Sequence, residues 1–243
     1  MEVEEYARIA AAEDDHWWYR NTRAVMADFL APWLGRDQLL LDAGCGPGGN
    51  GAWLAGHGMV TGVDLSDEAL RFVKARRPET LPARASVMQL PFADASFDVV
   101  VAITVVTCVV DDRLAVQELA RVAKPGGAVL LFEPAFELFR RAHDVTVHSR
   151  RRYRRRDLAS LAARAGLRVR RSTYAYSFLA PPAAMLHLLE RHKLDGADTD
   201  RGSDIERRAL DRVFTPLAAA ERHWLARRDL PLGTSAIVLA TRG

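Results

Sequence analysis

The residues most able to do chemistry lie in LLLDAGCGPGGNGAW (39–53). Gly44, Gly46 and Gly49 there have the spacing G-x-G-x-x-G, with Asp42 at the mouth of the turn. Asp64 follows Gly44 by roughly twenty residues and ends the next apolar run, VTGVDL. This is the dinucleotide spacing, in which loop amides take a pyrophosphate and the acid takes ribose hydroxyls. Asp42 argues against a pyrophosphate. A carboxylate beside the loop repels phosphate oxygens and attracts an ammonium or sulfonium group. The ligand wanted carries a ribose and a positive charge but no phosphate, and S-adenosylmethionine has all three properties.

A second polar cluster, His143, Asp144, His148, Arg151 and Tyr153, lies in AHDVTVHSRRRY (142–153). It follows the run GAVLLFEP, on the side where open α/β sheets bind substrates. Imidazole exchanges a proton near neutral pH, so His148 or His143 is a candidate base or orienting group, with Tyr153 in the same catalytic set. The competing reading is that Asp144 and His148 only pin the loop. The run RRRYRRRD (150–157) reads either as a solvated loop and helix start or as a grip on an anionic substrate group. Cys108 has no histidine partner in its local sequence, which disfavours a nucleophile.

These groups need a scaffold that presents them together. QLLLDAG (38–44), VTGVDL (60–65), FDVVVAI (97–103), GAVLLFEP (127–134), LRVRRSTYA (167–175) and SAIVLATR (235–242) read as strands buried on both faces. Helical stretches at 48–57, 67–76, 112–123 and 155–165 alternate with them, the last introduced by Asp157 and closed by Gly166. Strand–helix alternation specifies a doubly wound, mostly parallel α/β sheet. The whole of 1–243 is expected to be a single domain: a helical cap (1–34), a binding core (35–176), a helical insertion or lid (177–230) and a last strand (231–243). Met185, Leu186, Leu189, Phe214 and Trp224 of the insertion fit either an apolar roof or a dimer face, and the oligomeric state stays open.

Composition narrows the partners. The net charge is +3, and of 34 basic residues only Lys74, Lys124 and Lys193 are lysine. That balance lacks the clustered footprint of a nucleic-acid binder. No apolar run reaches membrane-spanning length, and the acidic opening has no signal-peptide pattern, so the expected location is the cytoplasm. Cys45 and Cys108 form neither a disulfide framework nor a metal-ligand spacing.

Together LDAGCGPGGN, VTGVDLS, LPFADASFDVV (90–100) and ELARVAKPGGAVLLFEP (118–134) resemble, in order and spacing, the motifs of class I S-adenosylmethionine-dependent methyltransferases. The resemblance runs from about residue 15 to 182. With HWWYRNTR (16–23) and AGLRVRRSTYAYSFLAPP it is similar to a subgroup acting on small molecules. It implies a Rossmann-like sheet of seven strands with the last antiparallel. It also implies that Gly44 and Gly46 admit the cofactor, that Asp42 orients water or its amino group, and that Asp64 accepts from the ribose hydroxyls. Asn50, Leu65 and Ile103 join the cofactor set. Tyr19 and Arg23 do so if the aromatic stretch is a lid, with Arg23 pairing the cofactor carboxylate one helical turn on. In the other reading Trp17, Trp18 and Tyr19 are core anchors.

Two departures stand out. Ser86 replaces the acid that usually takes the adenine amino group, leaving Val87 and Met88 to pack on the ring. Thr107 and Cys108 replace a usual acid–histidine pair. The implied reaction is in-line methyl transfer to a small-molecule N, O or C acceptor. The replaced pair keeps open another use of the cofactor, namely aminocarboxypropyl transfer or cyclisation giving methylthioadenosine. A non-catalytic cofactor-binding partner protein is the third reading.

Overall fold

The computed structural model describes residues 1–140, 142–190 and 211–243, the side chains of 142, 143 and 186–190 excepted. Every apolar run read as a strand forms one: β1 (Gln38–Ala43), β2 (Gly58–Asp64), β4 (Phe97–Ile103), β5 (Ala123–Pro134), β6 (Leu167–Ala175) and β7 (Ser235–Arg242). A seventh, β3 (Thr80–Arg84), stands at one edge. Its sequence, TLPAR, is short and contains proline, so the apolar pattern misses it, and an edge position tolerates the absent N–H. The order is β3-β2-β1-β4-β5-β7-β6. β7 runs antiparallel to β5 and β6, and the other neighbouring pairs are parallel.

Alternating residues of each central strand feed two cores. Val129 and Leu131 of β5 pack beneath α5 (Asp112–Val122) and α7 (Arg155–Arg164), while Leu130 and Phe132 face α2 (Trp17–Leu30) and α9 (Asp211–Leu225). Continuous apolar strands are what two covered faces require. α4 (Asp67–Arg76) starts under Ser66, whose hydroxyl accepts Ala69 N–H at 3.3 Å. The expected helix over 48–57 is shorter, α3 (Gly51–Leu54) followed by a 3₁₀ turn, because Gly48 sits at φ +96° within the preceding loop. Arg154, rather than Asp157, precedes α7; Asp157 lies in its first turn, and Gly166 follows at φ +85°.

Trp17 lies edge-on to Tyr176 at 5.6 Å and against Phe214 at 5.2 Å, and Trp18 meets Phe132 at 6.4 Å. Both tryptophans are therefore core anchors for α2. Within the insertion, α8 (Ala180–Glu190) and α9 are described; residues 191–210 and the side chains of Leu186 and Leu189 lie outside the described residues. Met185 and Trp224 are exposed, and Phe214 packs inward.

The first helix, α1 (Val3–Ala12), crosses the carboxyl ends of the strands. Glu2 N–H donates to the Thr146 carbonyl at 3.2 Å beyond β5. At its other end Glu13 reaches the glycine loop. Two short elements, α6 (Ala142–Thr146) and its following turn, complete the rim on the β5 side.

Candidate cofactor site

The turn after β1 is held by β2. Gly44 and Cys45 N–H both donate to the Val63 carbonyl, at 2.7 and 2.9 Å. Gly44 adopts φ +75°, and a Cβ there would lie 2.4 Å from Val105 Cγ2, so neither backbone nor space admits another residue. Gly46 adopts φ +52°, but nothing stands within 4 Å of its missing Cβ. The first glycine is thus fixed by packing and the second borders open space. Gly46 N–H donates to Asp64 Oδ2 at 3.0 Å, and Ser66 N–H to Oδ1 at 2.9 Å. Burial raises the Asp64 carboxyl, and these backbone bonds oppose the rise.

Asp42 is buried and neither carboxylate oxygen has a hydrogen-bond partner among the described residues. Burial pushes its pKa up to about 7; the Asn50 side chain opposes the shift, while Asp64 and Glu13 add to it. An unpartnered buried carboxylate is costly unless a donor meets it. Tyr19 and Arg23 lie on the same side. Burial, then Glu13 and Glu5, raise the Tyr19 hydroxyl, and Arg23 Nη2 donates to the Glu13 carbonyl at 2.7 Å. That bond holds the guanidinium beside the loop.

On the β3 side, Ser86 Oγ accepts Met88 N–H at 3.2 Å, so the hydroxyl is engaged in its own turn. Val87 is buried in the core beneath α5, Met88 is half-buried against it, Leu65 is exposed beside Asp64, and Ile103 is half-buried on the α2 face. Leu65 gives this rim an apolar lip.

The described side chains of the cluster after β5 are largely paired with one another and with nearby backbone. His148 is exposed, at φ +57°, and its Nε2 meets Glu2 Oε1 at 2.9 Å. Tyr153 is buried and its hydroxyl donates to Asp112 Oδ2 at 2.9 Å. Asp144 is bound by Arg152 through both oxygens, at 3.0 and 2.9 Å. The backbone of His143 lies in α6, and its side chain is outside the described residues. Arg151 pairs with Asp112 at 2.9 Å and donates to the Val109 and Val110 carbonyls. Thr107 is buried and bonded to Ser149 and to the Arg151 carbonyl, and burial pushes the Cys108 thiol up to about 12. The wall opposite the glycine loop is thus sealed by hydrogen bonds.

Three residues of this region escaped the sequence reading. Glu133, at the end of β5, accepts from Val106 and Thr107 N–H at 3.0 and 3.1 Å while fully buried. An acid closing an apolar buried strand was a legible signal. Tyr6 of α1 is buried against the Asp64 side of the cleft; burial, then the Asp64 charge, push its hydroxyl up to about 12, and a Ser66 hydrogen bond opposes this. Glu13 also comes from the acidic opening, where nothing in the sequence marks it. Among the described residues no three His, Cys, Asp or Glu side chains gather as a metal centre.

A seven-strand sheet whose last strand, β7, runs antiparallel, and a glycine turn braced by an acid at the end of β2, define the class I methyltransferase form of the Rossmann-like fold. Residues 41–131 match the family model described as a methyltransferase domain. Over this stretch the chain is similar to class I S-adenosylmethionine-dependent methyltransferases. It is 43% identical over 128 residues to a malonyl-[acyl-carrier protein] O-methyltransferase of Erwinia billingiae, covering 51% of this chain and 50% of that protein. It is 32% identical over 127 residues to a probable S-adenosylmethionine-dependent methyltransferase of Mycolicibacterium smegmatis, covering 52% and 49%. The chain spans about half the length of these curated relatives. A TehB-like methyltransferase structure from Corynebacterium glutamicum shares the fold, with a TM-score of 0.62 at 17% identity over 99% of this chain and 98% of that one.

Proposed function

We propose that this chain transfers a methyl group from S-adenosylmethionine to a small-molecule acceptor. The observation that carries this is Asp42, a buried carboxylate with no close hydrogen bond and the Asn50 side chain nearby, beside a glycine turn whose second residue faces open space. A ligand with an ammonium or an N–H donor satisfies that carboxylate. Asp64 retains lone pairs for two ribose hydroxyls after accepting from Gly46 and Ser66, since an ionised carboxylate has about four acceptor positions. Leu65 and Met88 offer apolar contact to a base, and Arg23 and Tyr19 stand on the amino-acid side. The bound cofactor supplies an electrophilic methyl carbon. What the chain contributes is orientation and exclusion of water.

Of the described side chains expected to move protons, His148 has an exposed ring, and it would need to part from Glu2 and from the Met1 amine to serve an acceptor. The sealed wall at Thr107 and Cys108 fits best an acceptor that needs little base, such as an amine or an activated carbon. The same wall supports the second reading, in which the cofactor is cyclised or gives up its aminocarboxypropyl chain. Among the described residues no helix is long and apolar enough to cross a membrane; a small, diffusible acceptor and a cytoplasmic location belong to the proposal.

Incubation with isotopically labelled S-adenosylmethionine and a metabolite extract tests it. S-adenosylhomocysteine with a labelled acceptor supports methyl transfer, methylthioadenosine supports the second reading, and neither product with retained binding leaves a non-catalytic binding protein.

A further inference from the structure

The third glycine of the G-x-G-x-x-G spacing answers to a residue of this chain, not to a ligand. Gly49 lies outside the left-handed region, and a Cβ placed on it would sit 2.5 Å from Glu13 Oε2 and 2.8 Å from its Cδ. The same oxygen accepts Gly49 N–H at 2.9 Å. Any larger residue at 49 would push Glu13 off the loop. Glu13 is buried at the end of α1; its other oxygen meets Arg76 at 3.0 Å and Arg77 at 3.1 Å. With little water to compete, a charge-assisted N–H···O bond of this kind is stronger than its surface counterpart.

The loop is therefore clamped at three points. Gly44 and Cys45 bind the Val63 carbonyl, Gly46 binds Asp64, and Gly49 binds Glu13. The first two clamps belong to β2 and form with the sheet. The third arrives from the N-terminal cap, which also brings Tyr6 to the Asp64 side of the cleft and, through the Glu13 carbonyl, fixes Arg23.

We infer that Glu13 is a positioning residue for the nucleoside site: seated on Gly49, it fixes the far end of the glycine loop and joins docking of α1 to the loop's binding conformation. This rests on the reading of the loop as an S-adenosylmethionine site. By linkage, a ligand that selects the ordered loop tightens the seat of α1, and loosening that seat weakens the ligand by the same factor.

The full chain is compared with Glu13→Ala, Glu13→Gln, Gly49→Ala and Arg76→Ala. S-adenosylhomocysteine is titrated calorimetrically, and amide exchange of residues 44–51 is followed without ligand. Glu13→Ala and Gly49→Ala should each lose about tenfold or more in affinity, and the double variant should lose no more than either alone, because both break one contact. Glu13→Gln, which keeps an acceptor for Gly49, should stay within about threefold. Arg76→Ala should lower Tm while leaving the affinity within about threefold. Exchange at Gly49 to Gly51 should rise in Glu13→Ala and not in Arg76→Ala. Wild-type affinity in Glu13→Ala, or an equal loss in Arg76→Ala, overturns the inference in favour of a merely structural ion pair. Should Glu13→Ala fail to fold, Glu13→Asp, one methylene too short to reach Gly49, carries the same comparison. If the native chain binds no S-adenosylhomocysteine, the functional reading fails, and exchange alone decides: unchanged protection of the loop in the Glu13 variant overturns the positioning role.

Discussion

Asp64 accepts a hydrogen bond from Gly46 N–H at 3.0 Å, so the acid that ends β2 and the turn that ends β1 form one structure. Loss of the side chain removes that brace, the Ser66 bond at 2.9 Å and the acceptor set for a ribose. Asp64→Ala should weaken S-adenosylhomocysteine by about 2–4 kcal/mol, the scale of two hydrogen bonds to a charged group. Calorimetric titration checks this; an affinity within about twofold of the native chain would make Asp64 a loop brace alone.

Asp42 gives the site a pH signature. Its carboxyl, ordinarily ionising at 3.8, ionises at about 7 because it is buried. The folded chain thus holds a proton that the unfolded chain has released, and this group's contribution to stability falls as pH rises from about 4 through 7. An ammonium-bearing ligand favours the ionised form. S-adenosylhomocysteine should therefore bind about twentyfold more tightly at pH 7.5 than at pH 5.5, releasing close to one proton at the lower pH. Titrations in buffers of different ionisation enthalpy measure the release. Asp42→Asn should bind weakly and without that pH dependence, and a flat profile in the native chain would take Asp42 out of the site.

Glu133 should matter to stability before function. Both oxygens accept buried backbone N–H groups of the loop after β4, and removing them strands two donors at about 1–3 kcal/mol each. Glu133→Ala should lose about 2–5 kcal/mol in urea denaturation, with Glu133→Gln between it and the native chain. Burial raises the carboxyl from 4.5 to about 8, so the folded state again binds the extra proton, and this group's contribution declines as pH rises from about 4.5 to 8. A Glu133→Ala variant as stable as the native chain would mean that water replaces the carboxylate on Val106 and Thr107.

The sheet was legible because burial on both faces writes continuous apolar runs, as in VVVAI and VLLF. β3 was not, since an edge strand paired on one side needs no such run. Asp42, Gly44, Gly46 and Asp64 were legible through spacing, which is local. Glu13 was invisible, because its partner Gly49 is brought to it only by the path of α1 across the sheet ends. The partners of the arginine run were invisible for the same reason. Arg152 and Arg151 look available in sequence, yet each meets a carboxylate, Asp144 or Asp112, that only the fold places beside it.

His148 gives the sharpest test on the acceptor side. Its ring is exposed and bound to Glu2 at 2.9 Å, next to the point where Glu2 N–H reaches the Thr146 carbonyl. If the imidazole serves the acceptor, its contribution appears in the transition state, and His148→Ala should lower kcat about tenfold or more with S-adenosylhomocysteine affinity nearly unchanged. Glu2→Ala, which removes the carboxylate partner of the ring, should then leave kcat close to native. If the pair only fastens the start of α1, both variants should behave alike: Tm falls, kcat in the folded fraction stays near native, and exchange rises at Val3 to Tyr6. The two roles differ in which variant matters, so kcat, Tm and affinity measured on both separate them. Native kcat in His148→Ala would strike the residue from the catalytic set and leave it as the fastening of α1.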